Sequence, residues 1–280
     1  PPSITMILYG IASETSIGRL FLAGVIPGLL LTGLFMAWAL FLSWKRGTKL
    51  VDADRIYSMK EKLELLPRLL PFTAVIVGVI YALYGGIATP SEAAGVGAML
   101  CLVMVIVIYR VWTPGALWHI LRDGLRESGM LMLIIGASIL FGYMMSSLLV
   151  TQSVAEAIAE MQVDKWVVLG AINLMLLVAG MFLPPAAIIL MTTPILMPVI
   201  TAFGFDPIWF GVILTINMEL GLITPPVGLN LFVINGITPD IKLPTILKGS
   251  LPFMGCMVVA IVILCVFPQL ATWLPRTLMG

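Results

Sequence analysis

The run Gly221-Leu222-Ile223-Thr224-Pro225-Pro226-Val227-Gly228-Leu229-Asn230 lies inside an apolar stretch, 207–236, that is long enough to cross a bilayer. Adjacent prolines remove two backbone donors and clash with the preceding turn, so the stretch cannot be one continuous helix. A helix broken within hydrocarbon frees carbonyls and amides that must find partners there. The carbonyls and the Thr224 hydroxyl are hard oxygen ligands suited to a small cation such as sodium. The amides that open the following half-helix favour an anionic group. The plainer reading is a proline kink satisfied by neighbouring helices. Gly221, Gly228 and Asn230 around the break favour a site.

Composition extends this reading to the whole chain. Of 280 residues, 60% are hydrophobic and 10% charged, and the mean hydropathy is +1.11. A soluble domain carries roughly 25% charged residues, so too few remain here to cover a surface facing water. A net charge of +1 argues against nucleic acid, which calls for a concentrated basic face. Cys101, Cys256 and Cys265 lie in apolar runs without metal-type spacing and read as small packed residues. The chain opens on Pro1-Pro2 with no initiator Met and no signal peptide, so a longer protein is expected.

On a ruler of about 20 apolar residues per span, spans are expected at 19–42, near 69–88 and 91–112, at 128–150 and at 246–272. The stretch 165–203 is too long for one span and breaks at Pro184-Pro185, which predicts two crossings or a re-entrant hairpin. The excess of Lys and Arg on cytoplasmic loops orients the path. With 45–68 inside and 165–203 entering and leaving on the outer side, twelve of the fifteen Lys and Arg face the cytoplasm. Charge does not separate the hairpin from two crossings. The segment 52–68 mixes charge with Ile56, Met59, Leu63 and Leu66, which predicts an amphipathic helix on the cytoplasmic surface of the lipid bilayer.

The two ends of the chain look alike. Pro1-Pro2-Ser3 opens an apolar half-helix, as Pro225-Pro226-Val227 does, and Gly24-Val25-Ile26-Pro27 is matched by Gly249-Ser250-Leu251-Pro252. If 1–12 runs outward and 225–236 inward, the copies are inverted. Inverted repeats with paired broken helices are a known plan for alternating access, with sites near the bilayer midplane.

The second break, Gly180-Met181-Phe182-Leu183-Pro184-Pro185-Ala186, is the expected hairpin tip, with Thr192 and Thr193 on the arm that follows. Those two threonines serve either a site or close helix packing. Glu219, in Asn217-Met218-Glu219-Leu220, is a carboxylate well inside an apolar run. It compensates a cation, carries a coupling proton, or accepts bonds from amides at the break. Glu92, in Thr89-Pro90-Ser91-Glu92, reads as a helix cap, and His119 beside Trp118 as an interfacial side chain. One His and three scattered Cys supply no metal cluster, and no base stands near a serine nucleophile, so an intramembrane enzyme is not expected. A channel gives no reason for a repeat with matched breaks.

The runs Gly180-Met181-Phe182-Leu183-Pro184-Pro185, Gly221 to Phe232, and Gly86-Ile87-Ala88-Thr89-Pro90-Ser91-Glu92-Ala93-Ala94 resemble the large membrane subunit of the tripartite ATP-independent periplasmic (TRAP) transporters. The resemblance covers all 280 residues, corresponding to the C-terminal two thirds of that subunit. It implies an all-α polytopic membrane protein of the bacterial inner membrane with inverted repeats, a re-entrant hairpin and broken transmembrane helices, of elevator type. It also implies sodium-driven import of an organic acid anion, a dicarboxylate or sialic-acid-like cargo. The implied partners are a small membrane subunit and a periplasmic substrate-binding protein. No organic cofactor is expected. Carried over by motif, sodium is held largely through backbone carbonyls at Gly180, Gly221, Thr224 and Val227, with Ser3 in a second site by the repeat. Pro184, Pro185, Thr192, Asn217, Glu219, Pro225, Pro226, Gly228 and Asn230 are the candidates for substrate contact or coupling. Many members carry an acidic residue where this chain has Pro184. The expected domains are the end of a first broken helix at 1–18, scaffold spans at 19–150 with a cytoplasmic arm at 45–68, a second transport segment at 151–240 and a C-terminal span at 241–280. A stand-alone divalent-anion/sodium symporter that needs no binding protein is the alternative.

Overall fold

Every element in the computed structural model, which describes residues 3–46, 58–85, 87–160, 163–238 and 240–279, is a helix. In chain order these are α1 (Ile4–Ala12), α2 (Ile17–Ala23), α3 (Val25–Arg46), α4 (Met59–Tyr84), α5 (Pro90–Val107), α6 (Pro114–Ser147) and α7 (Val150–Glu160). They continue with α8 (Lys165–Gly180), α9 (Pro185–Ala202), α10 (Pro207–Leu222), α11 (Leu229–Ile237), α12 (Leu243–Val266) and α13 (Gln269–Met279). Five segments are long and apolar enough to cross a membrane: Ile17–Lys45, Pro90–Val107, Pro114–Ser147, Pro185–Ala202 and Leu243–Val266. The chain is a multi-pass membrane protein. Exposed side chains such as Met99, Val103 and Val107 on α5 suit a lipid solvent.

Helix ends follow local chemistry. Asp164 accepts from the Trp166 amide at 2.8 Å and Asp206 from the Ile208 amide at 2.8 Å, so α8 and α10 open on side-chain caps. At α5, the Glu92 carboxylate takes the Thr89 amide at 2.8 Å while the Thr89 hydroxyl accepts from the Glu92 amide. This is the capping role read for Glu92.

The chain forms two units, Ser43–Met130 and Pro1–Leu42 with Leu131–Gly280. In the first, α4 and α5 lie against each other. Gly97 admits Val79, whose Cγ2 stands 3.2 Å from the place a Cβ would take. Residues 52–57 of the expected surface helix lie outside the described residues. From Met59 the backbone is helical and continues unbroken into the apolar stretch that ends at Tyr84.

The second unit is built around α10, which touches α1, α2, α8, α9, α11, α12 and α13. Its apolar face is buried nearly throughout, with Phe210, Ile213, Leu214 and Met218 fully so. Two prolines shape this unit through the carbonyls they leave free. Pro194, inside α9, has no amide to give the Leu190 carbonyl, and the Ser138 hydroxyl from α6 donates to it instead. Pro268 has none for the Leu264 carbonyl, which takes the Trp209 indole N–H at 2.8 Å. That proline also ends the last span at Val266 rather than 272, and α13 follows as a separate helix packed on α2.

Gly211 lets α1 and α2 reach α10. A Cβ there would stand 2.5 Å from the Tyr9 ring and 2.9 Å from Leu20. Tyr9 cannot easily yield, because its hydroxyl donates to the Pro207 carbonyl at 2.7 Å. Gly211→Ala is therefore expected to destabilise the protein by about 1–3 kcal/mol through overpacking. A lowered thermal unfolding midpoint of the full-length protein in detergent checks this, and an unchanged midpoint contradicts it.

Candidate functional site

Helices α8 and α10 both stop without crossing the full width that a bilayer requires, and they stop against each other. A Cβ on Gly221 would meet the Gly180 Cα at 2.8 Å, its carbonyl carbon at 2.9 Å and its oxygen at 3.1 Å. The reverse is looser: a Cβ on Gly180 would meet the Gly221 Cα at 3.2 Å. Two helix C-termini, each carrying partial negative charge on its last carbonyls, are thus brought into backbone contact.

Beyond this contact both chains turn. Met181 to Pro184 form the turn into α9. Residues 223–228 are non-helical and include a cis Pro225-Pro226 bond. The Gly228 amide donates to the Met181 carbonyl at 3.4 Å, which ties one turn to the other. Gly228 has φ +55°, a left-handed conformation that favours glycine, and a Cβ there would press on Leu231 and the Thr224 carbonyl. Thr224 is buried, and its hydroxyl donates to the Leu220 carbonyl at 2.5 Å. No backbone amide among the described residues donates to the carbonyls of residues 223–227.

The helices that resume after the turns begin without side-chain caps. Pro184 precedes α9 and Gly228 precedes α11, and neither N-terminus receives a side-chain hydrogen bond. Ser3, ahead of α1, gives none either. Helices α2, α5, α8 and α10 do have such caps, and α12, which opens after Lys242, does not. The junction therefore gathers oxygen-rich helix ends suited to a cation and uncapped helix starts suited to an anion. Among the described residues no group of three His, Cys, Asp or Glu forms a metal cluster, so any ion held here meets mainly backbone and hydroxyl oxygen.

The predicted residues fall into four places. Gly180, Gly221, Thr224, Val227, Gly228, Pro184, Pro185, Pro225, Pro226 and Asn230 belong to the two turns or the helix starts beside them, with Pro184, Pro226 and Asn230 exposed and Val227 half-buried. Ser3 and Glu219 share a separate cavity of about 170 Å³ with Met6, Gly24, Pro27 and Thr215. Thr192 lies along α9, its hydroxyl donating to the Ile188 carbonyl at 2.7 Å. It lines an apolar cavity with Val154, Ile158 and Met175. Asn217 faces α8 and is 1% exposed. Two groups escaped sequence reasoning. The Met181 carbonyl has no side-chain signal; Asn173 had one, as the polar residue within the apolar run 166–180.

The family described as the tripartite ATP-independent periplasmic transporter, DctM component, matches residues 1–270. The C4-dicarboxylate TRAP transporter large permease protein DctM of Pseudomonas aeruginosa is 37% identical over 278 residues, which is 99% of this chain and 64% of that protein. The sialic acid TRAP transporter large permease protein SiaM of Vibrio cholerae is 34% identical over 281 residues, 100% of this chain and 65% of its own length. The ectoine TRAP transporter large permease protein TeaC of Halomonas elongata is 33% identical over 278 residues, 98% and 63% respectively. The chain thus spans somewhat under two thirds of the length of these curated relatives.

The asymmetry of the glycine contact makes a prediction. Gly221→Ala must push the Gly180 backbone away and is expected to destabilise the protein by about 1–3 kcal/mol, whereas Gly180→Ala needs a shift of only a few tenths of an ångström. Thermal unfolding midpoints of the two full-length variants check the order; equal losses would contradict it.

Proposed function

The chain belongs to the DctM family of tripartite ATP-independent periplasmic transporters, and from that premise we propose that it is the permease subunit of a sodium-coupled secondary transporter importing an organic acid anion. The family is one of transporters, not enzymes. The observation that carries the coupling proposal is the meeting of two helix C-termini, at Gly180 and Gly221, beside the carbonyls of residues 223–227, to which no backbone amide among the described residues donates. A sodium ion would be held there by backbone oxygens of Gly180, Gly221, Thr224 and Val227 together with the Thr224 hydroxyl oxygen, with the negative ends of α8 and α10 replacing a carboxylate. A second sodium would sit at Ser3.

The anion, a dicarboxylate or a sialic-acid-like acid, would meet the uncapped amides that open α9 and α11, near Pro184, Pro185, Gly228 and Asn230. Relatives named for C4-dicarboxylate and sialic acid support this class. Binding the ion at the helix ends and the anion at the helix starts of the same two breaks couples them, because each neutralises field that the other would otherwise face. Glu219, beside Ser3, would balance cation charge or carry a proton on that side.

The same reading places the protein in the bacterial inner membrane, with α8 and α9 as a re-entrant hairpin and an elevator movement of the hairpin and broken helices. A repeat, which this reading takes to be inverted, is supported by α1 and α11, each nine residues long, each preceded by Pro-Pro, each uncapped. A small membrane subunit and a periplasmic binding protein are the proposed partners. The alternative, a symporter without a binding protein, predicts uptake by the membrane subunits alone.

The test is uptake of labelled dicarboxylate or sialic acid by the full-length protein, reconstituted with its partners, under a sodium gradient. Thr224→Ala removes one oxygen from the proposed site, and the half-saturating sodium concentration is expected to rise about tenfold, as for the loss of one hydrogen-bond-strength contact. Sodium activation identical to that of the unaltered protein would remove the Thr224 hydroxyl from the site.

A further inference from the structure

Four residues before Gly221, about 6 Å along the helix, Asn217 points into the seam between α10 and α8. Its side-chain amide donates to the Asn173 carbonyl at 2.8 Å and to the Asn173 side-chain oxygen at 2.9 Å. The Asn173 amide in turn donates to the Leu169 carbonyl at 2.9 Å, which holds the acceptor in place. Asn173 stands seven residues before Gly180, about 10 Å of helix. On both helices, then, the asparagine comes first and the glycine of the helix end follows.

The surroundings make this pair stiff. Ile172, Leu176, Ile213, Leu214 and Met218 are all buried beside it on the two helices. A slide or rotation of α8 on α10 would break two hydrogen bonds at once and leave the buried Asn217 amide without its acceptors. Hydrophobic side chains alone allow such slides, because one apolar contact substitutes for another. An amide shared between a backbone and a side-chain oxygen admits a single register.

Register matters here because the helix ends that follow are in backbone contact, and ion affinity depends on oxygen positions held to about half an ångström. We propose that Asn217, through Asn173, is a positioning residue that sets the register of the α8–α9 pair on the broken helix. It thereby sets the sodium affinity of the Gly180–Gly221 junction without touching the ion. This rests on the sodium reading above.

Sodium-dependent thermal stabilisation of the purified full-length protein, titrated with NaCl against choline chloride at constant ionic strength, tests it. Asn217→Leu keeps the branching and the number of side-chain heavy atoms and removes both hydrogen bonds, and should raise the half-saturating sodium concentration about tenfold. Asn173→Ala removes the side-chain acceptor but keeps the backbone one, so the protein should remain folded with a rise of about two- to threefold. In both variants the stabilisation reached at saturating sodium should match that of the unaltered protein. A purely structural role predicts a lower midpoint at every sodium concentration with half-saturation unchanged, and that result overturns the proposal. If the unaltered protein shows no specific response to sodium, the sodium reading itself fails and this inference goes with it.

Discussion

Two helices of a membrane-spanning chain end against each other, a steric and a polar problem at once, and the rest of the larger unit is arranged around it. Gly180 and Gly221 solve its steric half, since only the absence of two Cβ atoms lets the ends of α8 and α10 touch through their backbones. The polar half is solved by exchange between the turns, where the Gly228 amide serves the Met181 carbonyl and the Thr224 hydroxyl serves Leu220. What is left over, carbonyls at 223–227 without a backbone donor among the described residues and helix starts without caps, is what a cation and an anion would complete. In hydrocarbon such groups are expensive to leave open. The proposed function and the stability of the junction therefore share one cause.

The same rule, that a carbonyl freed by proline must find another donor, recurs away from the junction. Ser138 answers Pro194, and Trp209 answers Pro268. Both bonds join distant parts of the chain to α9 or α12, so each proline breaks regularity locally and creates a tertiary link. Around them α10 works as the common neighbour, with Gly211 admitting Tyr9 and Leu20 on one side and Asn217 binding α8 on another. Helix α10 can rest against so many partners because its Gly and Asn positions fall where backbones or amides must approach.

Much of this was legible in the sequence wherever the cause is local. Pro184-Pro185 and Pro225-Pro226 announce their breaks because proline acts on its own turn, and Thr89 with Glu92 announces a capped start for the same reason. The pairing of the two breaks was not legible, since the bond that joins them runs between the Gly228 amide and the Met181 carbonyl. Asn217 was a candidate for substrate contact or coupling, but its hydrogen-bond partner lies 44 positions away. The apolar run through 272 concealed the stop at Val266, because hydropathy continues across Phe267-Pro268 while the helix does not. Membership of the DctM family came through the motif residues themselves, which carry the glycines and prolines that the junction requires.

The central claim is that a sodium ion completes the junction between the α8–α9 turn and the break in α10. Amide hydrogen exchange of the full-length protein, compared in NaCl and in choline chloride at equal ionic strength, measures this most directly. The account predicts slower exchange in sodium at residues 181–187 and 223–231, with smaller changes in α5 and α12. Equal exchange in both salts at those residues, or protection confined to other helices, would contradict it.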